Sequence, residues 1–214
     1  MASTSTSFYA AGTLLVIGGL LLALGLVMHP PPGATPAENA AIIANTPNWA
    51  VVHFMIAASF LFLGAAAIII TGQGRAGALN PGLWALAAVS FIAFGAVVIA
   101  EVTTIPALID AVQKGSATET AIFNAFNAFV GGAAMLAVTI FLLSFTVIAF
   151  IDHRSKQVVP QPMISVLGSV ASFAGFLGAV GPDFGYVVLA PLFFANIFAA
   201  LYFAYFGWNL RSKK

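Results

Sequence analysis

Cysteine is absent from the 214-residue chain, which removes disulfides, thiolate nucleophiles, iron–sulfur ligation and Cys-based zinc sites from its chemistry. Charge is scarce as well. Seven Lys and Arg and six Asp and Glu make up 6% of the residues, where soluble domains carry roughly 25%. The net charge of +1 is spread over scattered residues, so no basic patch exists to hold a polyanion, and nucleic acid is excluded as a partner. Walker A loops, nucleophile elbows, zincin helices and dinucleotide-binding glycine fingerprints are all missing. What the chain does have is apolar residues, 61% of the total, gathered into runs with no stretch between them long enough to form a soluble domain. The partner this composition requires is the lipid bilayer.

Six runs are long enough to cross about 30 Å of hydrocarbon at 1.5 Å per residue: near residues 8–28, 49–71, 82–105, 123–151, 163–181 and 186–208. They predict one all-α, polytopic transmembrane domain over 1–214, since lipid cannot satisfy open backbone amides. The breaks carry turn chemistry: His29-Pro30-Pro31-Pro32-Gly33, Gly72-Gln73-Gly74, Asn80-Pro81-Gly82, Pro160-Gln161-Pro162 and Gly181-Pro182-Asp183. The third run stays apolar to Ala100, and its helix is expected to continue past Glu101 and to kink or end near Pro106. The fifth, rich in Gly, Ala and Ser, is expected in the bundle interior, and Gly131-Gly132 in the fourth is expected to serve packing.

Arg75, Arg154, Lys156, Arg211, Lys213 and Lys214 fall on one side of this six-span topology and only Lys114 on the other, which predicts cytoplasmic termini. The opposite side carries Glu38, Asp110, Glu119 and Asp183. Gly33-Ala34-Thr35-Pro36-Ala37 loosely matches a signal-peptidase site, but the first run lacks a basic flank and is long, so it is expected to be a retained helix. Trp49, Trp84 and Trp208 fall near span ends, where interfacial anchors sit.

An ionisable group near hydrocarbon is a functional candidate by its cost alone. His29 ends the first span, His53 lies one turn inside the second, and Glu101 lies near the end of the third, so three potential ligands from successive helices reach one depth on the outer side. Asn124 and Asn127, at i and i+3, share a face near that level and form a candidate outer shell. Asp110, Asp183 and Asn196 are weaker candidates, with Asn196 expected to act as helix–helix glue. Two imidazoles and a carboxylate suit a divalent metal with an open position; His29 and His53 as axial ligands would suit haem. His53 and Glu101 as a hydrogen-bonded structural pair, and His29 as a helix C-terminal histidine followed by a stop proline, are the structural alternatives. The Phe-rich fourth and sixth spans suit lipid contact, packing or a flat apolar ligand.

Met28-His29-Pro30, the segment Pro47-Asn48-Trp49-Ala50-Val51-Val52-His53, and Glu101 followed by Pro106-Ala107-Leu108 together resemble a family of small, functionally uncharacterised six-helix bacterial inner-membrane proteins. The motifs cover about the first half of the chain; the rest is similar through hydropathy. The resemblance implies a multi-pass inner-membrane protein and points to His29, His53 and Glu101, without implying a reaction.

Three functions follow from these residues. The first is an outer-face metal or haem site, serving a membrane redox complex. The second is proton-coupled transport of a small molecule, with His53 and Glu101 exchanging protons as two inverted three-helix halves rock. The third is a non-catalytic subunit packing on other membrane subunits or on a second copy of itself.

Overall fold

Local sequence sets where the helices begin. Asn80 accepts hydrogen bonds on its side-chain oxygen from the Gly82 and Leu83 amides, and Pro81 occupies the first helical position, where its missing N–H costs nothing. Thr35 caps a short helix in the same way, accepting from the Glu38 amide ahead of Pro36. The structure, a computed structural model, describes residues 4–30 and 35–213. Its helices are α1 (Thr4–Met28), α2 (Pro36–Ala44), α3 (Trp49–Thr71), α4 (Pro81–Gln113), α5 (Ala117–Ser155), α6 (Pro162–Val180) and α7 (Ala195–Leu210). Three 3₁₀ segments, Gly77–Leu79, Gly181–Phe184 and Val187–Phe194, join them, and no strand occurs among the described residues. Six segments are long and apolar enough to span a bilayer, as expected. Pro31–Gly33 of the first predicted break, Gly33-Ala34 of the cleavage-like segment and Lys214 lie outside the described residues.

Each spanning helix runs antiparallel to its sequence neighbours, and α7 returns onto α1, so the six close into a ring. Glycine permits the closure. A Cβ on Gly12 would lie 2.5 Å from the Gly207 carbonyl, and one on Gly19 would lie 2.6 Å from the Ala200 carbonyl, so α1 and α7 touch backbone to backbone. Gly18 and Gly25 admit Leu63 and Ile56 of α3 in the same manner. At one end the lumen is filled by aromatic side chains, Trp84, Phe91, Phe141, Phe145, Phe203 and Phe206, all buried. Arg75 lies over the Phe8 ring and Arg211 over Tyr9, while Gln157 joins the α5–α6 turn to Ala76 and Ala78. Arg75, Arg211 and the turn after Arg154, among the basic residues expected on one side, therefore share one end of the ring with the start of α1 and the end of α7.

Several expectations need correction. Helix α4 does not end at Pro106 but runs on to Gln113, because Val102, Ile105 and Ile109 bury themselves with Ala40, Trp49 and Phe123 in a second small cluster that holds the helix across its proline. The sixth span is not a plain α-helix: Val187–Phe194, which contains Pro191, is 3₁₀ and only then does α7 begin. The fifth span is not interior; α6 is the least buried of the six, and its small residues serve one face, where Gly168, Gly175 and Gly178 meet Tyr202, Asn196 and Phe193. Gly131 and Gly132 have no neighbour within 4 Å of a built Cβ, so they do not serve packing within this chain. Trp49 and Trp84 are buried rather than interfacial; only Trp208 is exposed.

Asp152, which the sequence places in a charged helix end, is fully buried. Its carboxylate accepts from the Val158 and Val159 amides at 2.8 and 3.0 Å and from the Ser165 hydroxyl at 3.1 Å, tying the α5–α6 turn shut.

Two outcomes follow. Gly19→Leu should lower stability by about 2 kcal/mol through overpacking, while Gly131→Ala should leave the thermal midpoint in detergent unchanged; equal effects would mean that α1 and α7 do not meet as described. Asp152→Ala should cost about 3 kcal/mol by stranding three buried donors and should open the 156–161 turn to protease, whereas a wild-type midpoint would show the clamp to be dispensable.

Candidate functional site

The end of the ring opposite the aromatic plug is built on α1, α3 and α4. Gly25 against Ile56 and Gly95 against Phe60 and Ala57 set their registers, which brings the C-terminal end of α1, the first turn of α3 and the latter part of α4 to one level. Each helix contributes one polar residue and two apolar ones at helical spacing along a single face: His29, Leu26 and Leu22; His53, Ile56 and Phe60; Glu101, Val98 and Phe94. All nine line one chamber of about 130 Å³, completed by Val138, Phe141 and Leu142 of α5 and by Phe193, Asn196, Ala199 and Phe203 of the last span. Seven residues of helix make its depth about 10 Å. The result is an apolar chamber inside the ring, with one polar end.

His29 Nε2 and His53 Nε2 stand 3.2 Å apart. The other ring nitrogens face backbone carbonyls: His29 Nδ1 is 2.6 Å from the Pro30 oxygen and His53 Nδ1 is 2.8 Å from the Trp49 oxygen. A carbonyl only accepts, so each Nδ1 is the donor, and a neutral imidazole protonated there leaves Nε2 as a bare lone pair. Two lone pairs thus face each other across 3.2 Å. Burial pushes the His29 imidazole below its ordinary pKa of 6.5, against a smaller opposite pull from the Pro30 carbonyl, which favours the neutral form that ligates metals. His53 is buried and its ring stacks on Trp49 with centroids 4.0 Å apart. Glu101 Oε1 lies 3.9 Å from His53 Nε2, with a fifth of the Glu101 side chain exposed.

The structure therefore brings His29, His53 and Glu101 together, as their sequence positions suggested. It does not add Asn124 and Asn127 to them. The α4–α5 register, set by Phe91 against Phe141 and Trp84 against Phe145, levels Glu101 with residues 128–131, so Asn127 lies within about a turn of that level and Asn124 about one to two turns away. Asn124 is exposed and Asn127 half-buried, and neither lines the chamber. Asp110 is exposed too, and the Asp183 side chain lies outside what is described. Asn196 lies near the middle of the sixth span, in the first turn of α7, its Nδ2 3.5 Å from the Gly175 carbonyl of α6 and its buried Oδ1 without a protein partner. The apolar stripes below the polar residues went unread in the sequence, although the three-and-seven spacing from each of His29, His53 and Glu101 was there to be counted.

Among the described residues no group of three or more His, Cys, Asp or Glu side chains is placed to hold a metal ion; the two Nε2 atoms are 3.2 Å apart and Glu101 stands 3.9 Å from that of His53. Comparison of the chain with protein-family models, with curated proteins and with solved structures finds no match in any of the three.

The carbonyl contacts of the two Nδ1 atoms predict both tautomers. In metal-free protein at pH 8, ¹⁵N shifts should show protonated Nδ1 and bare Nε2 at His29 and His53 alike; an Nε2–H signal from either would contradict the carbonyl contacts.

Proposed function

We propose that this six-span membrane protein resides in a bacterial inner membrane with its termini in the cytoplasm, and holds one divalent transition-metal ion at its outer end. His29 Nε2, His53 Nε2 and the Glu101 carboxylate are the ligands. One observation carries this reading: two imidazoles whose Nδ1–H groups are anchored on backbone carbonyls and whose bare Nε2 atoms converge. Anchoring of the distal N–H is how metal-ligating histidines are oriented. With metal–nitrogen bonds of about 2.0–2.1 Å, two ligand nitrogens stand about 2.8–3.0 Å apart around an octahedral ion and about 3.3–3.4 Å apart around a tetrahedral one, and the observed 3.2 Å lies between the two, nearer the tetrahedral value. Bringing Glu101 in from 3.9 Å takes a shift of about 0.5–1 Å. Haem does not fit the pair. Axial imidazoles stand on opposite faces of a macrocycle, which cannot pass between nitrogens this close, and the chamber is small for it.

Three protein donors leave at least one coordination position open, and the metal's chemistry there is that of a Lewis acid. Zinc, manganese, iron and copper all accept this donor set. A proton-coupled carrier is the second reading. It draws support from the discontinuous sixth span, whose 3₁₀ half meets α7 beside the chamber, the type of broken helix that carriers use.

Protein purified without chelator should contain about one equivalent of metal, and Co²⁺ should give the visible bands of a low-coordinate nitrogen–oxygen site. His53→Ala should abolish retention, and Glu101→Gln should weaken Co²⁺ affinity by roughly tenfold or more, about 1.4 kcal/mol. Metal content unchanged in His53→Ala would overturn the metal reading. Metal-free wild type with pH-driven solute flux that disappears in Glu101→Gln would favour the carrier.

A further inference from the structure

The chamber beneath the histidines has a size, a wall chemistry and a polarity that select a ligand. An engineered protein cavity of about 150 Å³ lined by Leu, Ile and Phe stays dry and takes up benzene; this chamber is about 130 Å³ and is walled by Leu, Ile, Val and Phe. The space is that of one six-membered ring. Phe60, Phe94, Phe141 and Phe203 surround it, with Phe60 and Phe94 edge to face at 4.6 Å and Phe60 and Phe141 at 5.6 Å, so an added ring meets aromatic edges and faces in the arrangements that aromatic pairs prefer. Three of the four polar side chains that line it, His29, His53 and Glu101, lie where the helix stripes terminate, while the fourth, Asn196, turns its Nδ2 toward the Gly175 carbonyl at 3.5 Å, so the ligand carries its polar substituent on the imidazole side. There the two imidazoles offer acceptors, their Nδ1–H groups being used on carbonyls.

We propose that the chamber is a binding site for a monocyclic phenol, with its ring among the four phenylalanines and its hydroxyl donating to an imidazole Nε2. Benzene fills the same space but leaves the nitrogens unmet. A benzoate-type anion has no proton to give and would have to bury its charge against an apolar wall. A neutral phenol partitions into the bilayer, and so reaches a site enclosed by membrane-spanning helices. The inference goes beyond the metal reading and does not rest on it, since the acceptors are present in the metal-free protein.

The test uses full-length, chelator-treated protein in detergent micelles, with 4-fluorophenol and fluorobenzene as ¹⁹F NMR probes. Both should give a bound resonance distinct from the micellar one, with 4-fluorophenol about tenfold tighter, the gain of one satisfied hydrogen bond. The double variant His29→Leu/His53→Leu should bring 4-fluorophenol to the affinity of fluorobenzene and leave fluorobenzene within about twofold. Val98→Phe on α4, and independently Val138→Phe on α5, should remove both bound resonances while the protein keeps its thermal midpoint. Probe signals that are micellar only, or equal affinities in wild type, or a phenol preference that survives removal of both imidazoles, would each overturn the proposal. Metal content, measured separately on untreated protein, decides the metal reading, so either can fail alone.

Discussion

The contact of α1 with α7 is the constraint on which the remaining structure depends. Lipid tails are as apolar as leucine, so no hydrophobic force closes a helix ring in a bilayer, and closure rests on how near the backbones can come. Helix α1 carries two glycine pairs with a spacing of seven, Gly12 and Gly19 toward α7 and Gly18 and Gly25 toward α3. It acts as a narrow wedge between the first and last members of the ring. With bulkier residues there, α7 would stand off, the aromatic plug around Phe203 and Phe206 would lose a wall, and the lumen would open to lipid. The chamber is then a consequence of two levels of packing. Glycine lets the helices approach at their flanks, and large rings fill the lumen at one end but stop short of the other.

In the polar layer at that other end the imidazole donors are satisfied within the chain, while both Nε2 atoms and the Asn196 Oδ1 have no donor of their own. The two Nδ1–H groups are used on carbonyls of their own chain segments, and Trp49 covers one face of His53. Beyond the layer, the second cluster of Ala40, Trp49, Val102, Ile105, Ile109 and Phe123 forms an apolar roof contributed by α2 and by the extensions of α3, α4 and α5. Trp49 belongs to both, which explains why a residue at a helix start is buried rather than set in the interface. The continuation of α4 past Pro106 has the same origin: the roof needs Ile105 and Ile109 on a helix, and their burial offsets the hydrogen bond that proline removes.

The spans, their number and the depth shared by His29, His53 and Glu101 were legible from the sequence, because run length and the count of turns along antiparallel helices determine them. Lateral position was not. Asn124 and Asn127 have a suitable spacing, but nothing in a helix period says which way a face points, and the α4–α5 register carries them past the site. The interior placement of α6 failed for a related reason: small residues permit close approach on one face without requiring it on all. Trp84 was read by its place near a span end, while its indole N–H, donated to the Ala78 carbonyl, and the rings of Phe145 and Phe206 hold it in the core. Asp152 stands beside His153, Arg154 and Lys156 and so has the composition of a charged helix end, whereas its three partners, two of them backbone amides six and seven residues on, leave no trace in composition.

The two ends of the lumen bear differently on function. A carrier must present its site to both sides in turn, and here the path from the chamber toward the basic end is blocked by Trp84, Phe91, Phe141, Phe145, Phe203 and Phe206, whose rings contact one another and are buried. Opening it would expose several large aromatic surfaces at once and would have to separate α7 from α1 along its glycine contacts. The other end, by contrast, has a partly exposed carboxylate and a 3₁₀ segment at its rim. Exchange through that end alone requires no rearrangement of the plug. A layered site results, with the imidazole pair and its carboxylate beneath the apolar roof, space for one ring below them, and a closed aromatic floor. That order favours a protein that binds and presents a small ligand at one membrane face over one that passes it across.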